Sequence, residues 1–139
     1  MRKASDIILL VGAIVSIVCA VTFLIIGIVF AMLGQLPTEE IIQAINEGKY
    51  TTDVPGTPEQ KALAVKSVLT GTGVFFLIVG VMSIVNAVLG FVARAKHSLG
   101  LYVANIVFGV LSLTEITLVG GIFGLIANGQ EANNKPVSE

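Results

Sequence analysis

The run IILLVGAIVSIVCAVTFLIIGIVFAML, residues 7–33, holds 27 consecutive side chains without a charge. As an α-helix it measures about 40 Å, against about 30 Å of bilayer hydrocarbon, so it is long enough to span with tilt. Arg2 and Lys3 precede it, as basic residues precede a secretory signal. Signal cores, however, are typically about 7 to 15 residues long, and no small-residue cleavage site follows, so the run reads as an uncleaved anchor. Its Cys19 is the only cysteine of the chain, which excludes an intrachain disulfide and a zinc site of cysteine type. Bulky Val18 stands where a lipoprotein attachment site has a small residue, so Cys19 reads as a small apolar helix residue.

Two further apolar segments follow. Residues 67–93 are again 27 uncharged positions and end in the basic cluster Arg94, Lys96 and His97. Along them Gly73, Gly80 and Ala87 recur every seven residues, with Ser83 and Gly90 offset by three. Small side chains on one helical face let backbones approach closely in lipid, where packing and hydrogen bonds drive association. Residues 99–127 form a third segment of similar length, interrupted by Ser112, Thr114, Glu115 and Thr117. It is either one long span with Glu115 deep inside, or a hairpin broken by a Ser112-Leu113-Thr114-Glu115 capping box into two short helices. The hairpin is preferred because it lets Glu115 sit at the outer interface.

Between the first two segments, residues 34–66 carry five acids (Glu39, Glu40, Glu47, Asp53, Glu59) and three lysines (Lys49, Lys61, Lys66). Thr38 stands as an N-cap, Ile41, Ile42 and Ile45 share a face, and Gly48 offers a stop, which predicts a short amphipathic helix on the membrane surface. Thr57-Pro58-Glu59-Gln60 combines an N-cap, a first-turn proline and a capping-box glutamine, so the next helix is expected to start there.

Composition agrees with these spans. Hydrophobic residues make up 55% of the 139 positions and charged residues 12%, about half the share of a soluble domain. Mean hydropathy is +0.94. A net charge of −1 without a basic face excludes nucleic acid as a partner. Lysine and arginine in the short flanks, Arg2 and Lys3 before the first span and Arg94 and Lys96 after the second, place both ends on the cytoplasmic side. The 34–66 loop is then outside, and the tail from Asn128 is inside if the third segment folds back.

No assembled catalytic, metal or nucleotide motif is present, so no enzyme activity and no cofactor are expected. His97 has no partner histidine at ligand spacing and reads as a solvated residue of the basic edge. Glu115 is the candidate functional residue, since an acid within a membrane segment is costly to keep; the alternative is a helix cap. Asn86 lies eight residues before Arg94 and Asn105 eight after His97, which puts both about 12 Å from the cytoplasmic end. At equal depth they are expected to share a side-chain amide hydrogen bond. Ser112 completes the candidate polar set, and Gly120 and Gly124 join Gly73, Gly80, Ser83, Ala87 and Gly90 as candidate packing positions.

The Arg2-Lys3 start, the single acidic outer loop, the basic turn Arg94 to His97, and the close from Gly100-Leu101-Tyr102-Val103-Ala104 through Gly120-Gly121-Ile122-Phe123-Gly124 resemble a family of small bacterial membrane proteins grouped as a domain of unknown function. Its members look like compact tetraspans, so the resemblance implies topology and no mechanism. The chain departs from the family at Asn128-Gly129-Gln130-Glu131, where members end in lysines or arginines. The expected fold is therefore an all-α integral membrane protein. Three apolar segments form an antiparallel transmembrane helix bundle, the third broken near Ser112 to Thr117, giving four membrane helices or, alternatively, three. The expected partners are the lipid bilayer and a membrane protein or a second copy of the chain. The expected role is that of an accessory or interaction subunit, with a small channel or proton-coupled transporter using Glu115 as the alternative.

Overall fold

The computed structural model describes residues 2–112 and 115–133, and among these the only regular secondary structure is helical. Five helices follow in order: α1 (Arg2–Gly34), α2 (Thr38–Asn46), α3 (Pro58–Lys96), α4 (Leu99–Leu111) and α5 (Glu115–Asn133). Two of them, Lys3–Gly34 and Pro58–Lys96, are long and apolar enough to cross a membrane, with mean hydropathies of 3.0 and 2.5 in their most apolar windows. Only 28% and 33% of those windows is buried, whereas the core helix of a soluble protein would be mostly covered. The third segment is broken: α4 ends at Leu111 and α5 begins at Glu115. The capping box expected there includes residues 113 and 114, which lie outside the described residues.

Helix ends follow local chemistry. At the start of α3 the Thr57 backbone N–H donates to Gln60 Oε1 at 3.0 Å, and the Gln60 N–H donates to Thr57 Oγ1 at 3.3 Å. This reciprocal pair is the capping box that Thr57-Pro58-Glu59-Gln60 predicts. At α2 the start differs from the expectation. Thr38 is already helical, Pro37 occupies the cap position with no side-chain cap bond, and the Pro37 carbonyl accepts from the Ile41 N–H at 3.3 Å. Gly48 ends the helix with φ +74°. Its N–H donates to Ile45 O and the Lys49 N–H to Ala44 O, a pairing that satisfies the last carbonyls and needs a left-handed residue. Ile41 is fully buried, so part of the apolar face of α2 is covered by protein and not left for a membrane surface alone.

The chain forms two compact units, one of residues 1–22 with 79–139 and the other of residues 23–78. In the second unit α1 and α3 run antiparallel with their backbones in contact. A Cβ on Gly73 would lie 2.6 Å from the Ala31 nitrogen and 2.9 Å from the Gly27 oxygen, and one on Gly34 would collide with Thr70. Beside this contact Phe76 stacks on Phe23, with ring centroids 5.7 Å apart, and lies 6.4 Å from Phe30. Such aromatic contacts contribute about 0.5–1.5 kcal/mol beyond area burial.

In the first unit four helices share an interior drawn from one stripe of each. Buried positions are Ser5, Leu9, Gly12, Ala13, Ser16 and Ala20 on α1; Val79, Gly80, Ser83, Asn86, Ala87, Gly90 and Ala93 on α3; Tyr102, Asn105 and Gly109 on α4, with Ser112 at its C-cap; and Thr117, Gly120, Gly121, Gly124 and Ala127 on α5. Steps of three and four dominate, as expected for helices packed nearly antiparallel. Glycines set the closest approaches: a Cβ on Gly12 would strike Thr117, and one on Gly124 would strike the Tyr102 ring.

Candidate functional site

The first unit contains a seam of buried polar side chains. Ser5, Ser16, Ser83, Asn86, Asn105, Ser112 and Thr117 are all 0% exposed. Its centre is Asn86. The Asn86 Nδ2 donates to Thr117 Oγ1 on α5 at 2.8 Å and to Ser16 Oγ on α1 at 3.2 Å, so one amide ties three helices. Asn86 Oδ1 is buried without a donor among the described residues.

Asn105 sits beside Asn86, so equal depth does bring the two together, but not amide to amide. In one orientation Asn105 Nδ2 donates to the Asn86 backbone carbonyl at 3.3 Å. With the amide rotated, Nδ2 donates to Thr117 O at 2.9 Å and Oδ1 accepts from the Gly90 N–H at 2.9 Å. The rotated form satisfies both ends and is preferred, since amide oxygen and nitrogen are assigned by their hydrogen bonds. The hydrogen bond expected between the two side chains is thus replaced by bonds from each amide to third parties. No sequence rule fixes the rotation of each helix that decides this.

The remaining candidates fall into place around the seam. Ser83 Oγ donates to Val79 O at 2.9 Å and Ser112 Oγ to Gly109 O at 3.4 Å, both within their own helices. Ser5 Oγ reaches across to Gly120 O at 3.1 Å. Gly90 admits Ala13 and Asn105 of its neighbours, and a Cβ on Gly120 would lie 3.1 Å from Ile8 and Leu9 atoms. Gly80 and Ala87 are buried, and Gly73 belongs to the second unit. Glu115 stands apart from the seam. It is exposed in the first turn of α5 and lines a crevice of about 280 Å³ with Gly109, Val110 and Leu118.

A second cluster, at the other end of α4, includes residues that sequence reasoning passed over. His97 Nδ1 lies 2.9 Å from the Tyr102 hydroxyl and 3.6 Å from Asp6 Oδ1. The His97 side chain is 29% exposed and Tyr102 2%, so the imidazole is partly buried and not the solvated flank residue expected. His97 is the only described non-glycine residue with positive φ, +49°, at the step where α3 gives way to α4. That conformation costs about 1–2 kcal/mol for an ordinary residue and is retained where surroundings hold it. The Tyr102 contact is a hydrogen bond and ties the α3–α4 turn to α4, whereas Asp6 Oδ1 is beyond hydrogen-bond distance and is buried without a hydrogen-bond partner among the described residues. The signal available beforehand was Asp6, the acid of the N-terminal flank, placed one helical turn past Lys3.

Among the described residues no group of three or more His, Cys, Asp or Glu side chains could hold a metal ion. The donors of Ser5, Ser83, Asn86, Asn105 and Ser112 go to neighbouring helices or to their own backbone, which is the chemistry of cohesion. Comparisons with protein-family models, curated proteins and solved structures find nothing that matches this chain.

Proposed function

We propose that this chain is a non-enzymatic, multi-pass protein of the cell membrane that serves as an accessory or interaction subunit. The observation that carries the proposal is the division of labour on α1 and α3. Their buried stripes are mostly small or polar, with Leu9, Leu69 and Val79 as the larger members, while large apolar side chains such as Ile14, Val18, Ile25, Val68, Ile78 and Val88 are 45% or more exposed. Water around such a surface is costly, and lipid is its natural solvent. Arg2, Lys3, Arg94 and Lys96 assign the N-terminus and the α3–α4 turn to the cytoplasm, and residues 34–66 to the outside.

In this topology α4, 13 residues and about 20 Å long, enters the bilayer without reaching the far side, and α5 returns. The tail from Asn128 is then cytoplasmic. Asn86, Asn105 and Ser112 make interhelical or backbone bonds, which supports a cohesive role. One observation favours the alternative of a small channel or proton-coupled transporter: Glu115 is exposed beside a crevice at the α4–α5 turn.

Reconstitution separates the two. An interaction subunit gives no ion or proton flux in sealed vesicles, and flux abolished by Glu115→Gln would overturn the proposal in favour of the transporter. A tag at residue 139 should be accessible only from the cytoplasmic side; access from outside would mean three spans.

A further inference from the structure

In the topology above, two contacts of the first unit set the depth of Glu115. Thr117, two residues further along α5, meets α3 through the Asn86 amide at 2.8 Å and α1 at Gly12, where a Cβ would strike its side chain. Asn86 is eight residues from Arg94 and Gly12 nine from Lys3, so both helices place Thr117 about 12–14 Å from the cytoplasmic edge. Since α5 runs back towards the cytoplasm, Glu115 lies about 3 Å farther out, near the middle of about 30 Å of hydrocarbon. This is not the outer interface expected for a break in the third segment.

Nothing at that level answers the charge. Glu115 is exposed and has no hydrogen-bond or ion-pair partner among the described residues. None of the eight lysines and arginines falls within residues 7–33, 67–93 or 99–127, so neither this chain nor a second copy brings a cation to this depth. Headgroup amines lie about 15 Å away, at the edge of the hydrocarbon. Among the described residues no group of His, Cys, Asp or Glu is assembled to replace the water around a metal ion. A basic side chain carried in on a transmembrane helix meets neither obstacle, and charges inside membranes are held in such pairs.

The surroundings fit that occupant. The crevice beside Glu115, about 280 Å³ and lined also by Gly109, Val110 and Leu118, holds about nine water-sized groups, room for the side chain of a lysine or arginine but not for a helix. Val103, Val107 and Val110 on α4, and Val119 and Ile122 in line with Glu115 on α5, are 42% to 57% exposed. Steps of three and four put each set in a row along its helix, and the rows meet where Val110 and Glu115 line the same crevice. We propose that this face of α4 and α5 docks a transmembrane helix of a different protein that carries a lysine or arginine at mid-span. The basic side chain enters the crevice and pairs with the Glu115 carboxylate, while its helix lies along the two apolar rows. The proposal gives the chemistry of the partner in the interaction-subunit reading and rests on that reading.

Energy transfer in vesicles tests it. The full chain, donor-labelled at its C-terminus, is reconstituted in phosphatidylcholine with an acceptor-labelled synthetic helix of leucine and alanine that carries one lysine at mid-span, one near an end, or none. The mid-span lysine should lower the peptide-to-lipid ratio at half-maximal transfer by about tenfold, the low end for a close charge pair, and the other two peptides should match each other. Glu115→Gln should abolish the preference, and Glu115→Lys should move it to a peptide with glutamate at mid-span. Equal transfer to all three peptides, or a preference unchanged by Glu115→Gln, overturns the docking site. Transfer between two pools of the chain that Glu115→Gln removes would give the face to a second copy and overturns it too. Parallel measurements on the same vesicles keep the levels apart. Protein that stays behind when vesicles float contradicts the membrane assignment, and proton flux abolished by Glu115→Gln contradicts the interaction-subunit reading. Floating protein with neither flux nor lysine preference contradicts the docking site alone.

Discussion

The same two helices are joined in different ways in the two units. In residues 23–78, α1 and α3 meet through glycine against backbone at Gly27 and Gly73 and through the ring of Phe76, and no side chain of the described residues there is both polar and buried. In residues 1–22 with 79–139, the interior is a row of hydroxyls and amides centred on Asn86. Shape alone can hold a pair of helices that touch along their backbones. A four-helix interior, with α4 and α5 added, has more surface to match, and directional bonds specify which faces meet. In lipid this matters more than in water, because hydrophobic exclusion gives no preference between one apolar face and another.

The contrast predicts different sensitivities. The largest effect is expected at Gly73: Gly73→Leu places a branched side chain where even a Cβ meets the Ala31 nitrogen, and should cost about 3 kcal/mol in bicelle unfolding. A loss under about 0.5 kcal/mol would mean that the two backbones are not in contact. Next is Asn86→Leu, which strips Ser16 and Thr117 of a shared donor and should cost about 1–3 kcal/mol. Because Asn105 bonds the Asn86 or Thr117 backbone, Asn86→Leu and Asn105→Leu should combine non-additively, with a coupling of about 0.5 kcal/mol or more in a double-mutant cycle. Strictly additive losses would show two independent amides instead of one network. Phe76→Leu keeps apolar bulk but removes the ring contacts with Phe23 and Phe30, and should cost about 0.5–1.5 kcal/mol in the same assay.

The smallest effect lies outside both interiors. Lys49 Nζ is 2.6 Å from Glu47 Oε2, and this bond, helped by one from Gln43, holds the Glu47 carboxyl below its ordinary range while Lys49 is raised. A depressed acid contributes stability above its unfolded pKa and loses it as pH falls through the folded value; the raised lysine loses its share as pH rises through its own. Both groups are open to solvent, so the contribution is small. A carboxyl-carbon NMR titration should place the Glu47 midpoint below that of an unpaired glutamate, Lys49→Met should return it upward, and neither change should move overall stability.

Several segment boundaries that depend on local chemistry were legible in the sequence, although the start of α2 was not, since Thr38 is already helical. The reciprocal bonds of Thr57 and Gln60 and the left-handed stop at Gly48 answer to residues a few positions apart. The small-residue stripe of α3 was legible too, since Gly73, Gly80, Ser83, Ala87 and Gly90 are all buried. The matching stripe of α1, Ser5, Leu9, Ala13, Ser16 and Ala20, also runs in helical steps of three and four but begins before the uncharged run that starts at Ile7, so a division of the chain by charge cuts through it. His97 is not legible as a partly buried residue, because its place in a basic cluster suggests solvent and its hydrogen-bond partner Tyr102 lies on the next helix, beyond a turn whose geometry the sequence leaves open. In the sequence Thr117 is one polar residue of an interruption, whereas in the fold its hydroxyl accepts the Asn86 amide at the centre of the seam. Tertiary partners of this kind depend on helix rotation, and polar residues scattered in apolar helices do not announce which way they face.

The account stands on lipid contact along α1 and α3, and spin-label collision rates in bilayers measure it directly. In a Cys19→Ser background, labels at Ile14, Val18, Val81 and Val88 should collide often with oxygen and rarely with a water-soluble nickel chelate, while labels at Ala13 and Ala87 should be shielded from both. Frequent nickel collisions at the first four positions would mean that water covers these faces, and a membrane-spanning assignment could not survive that result.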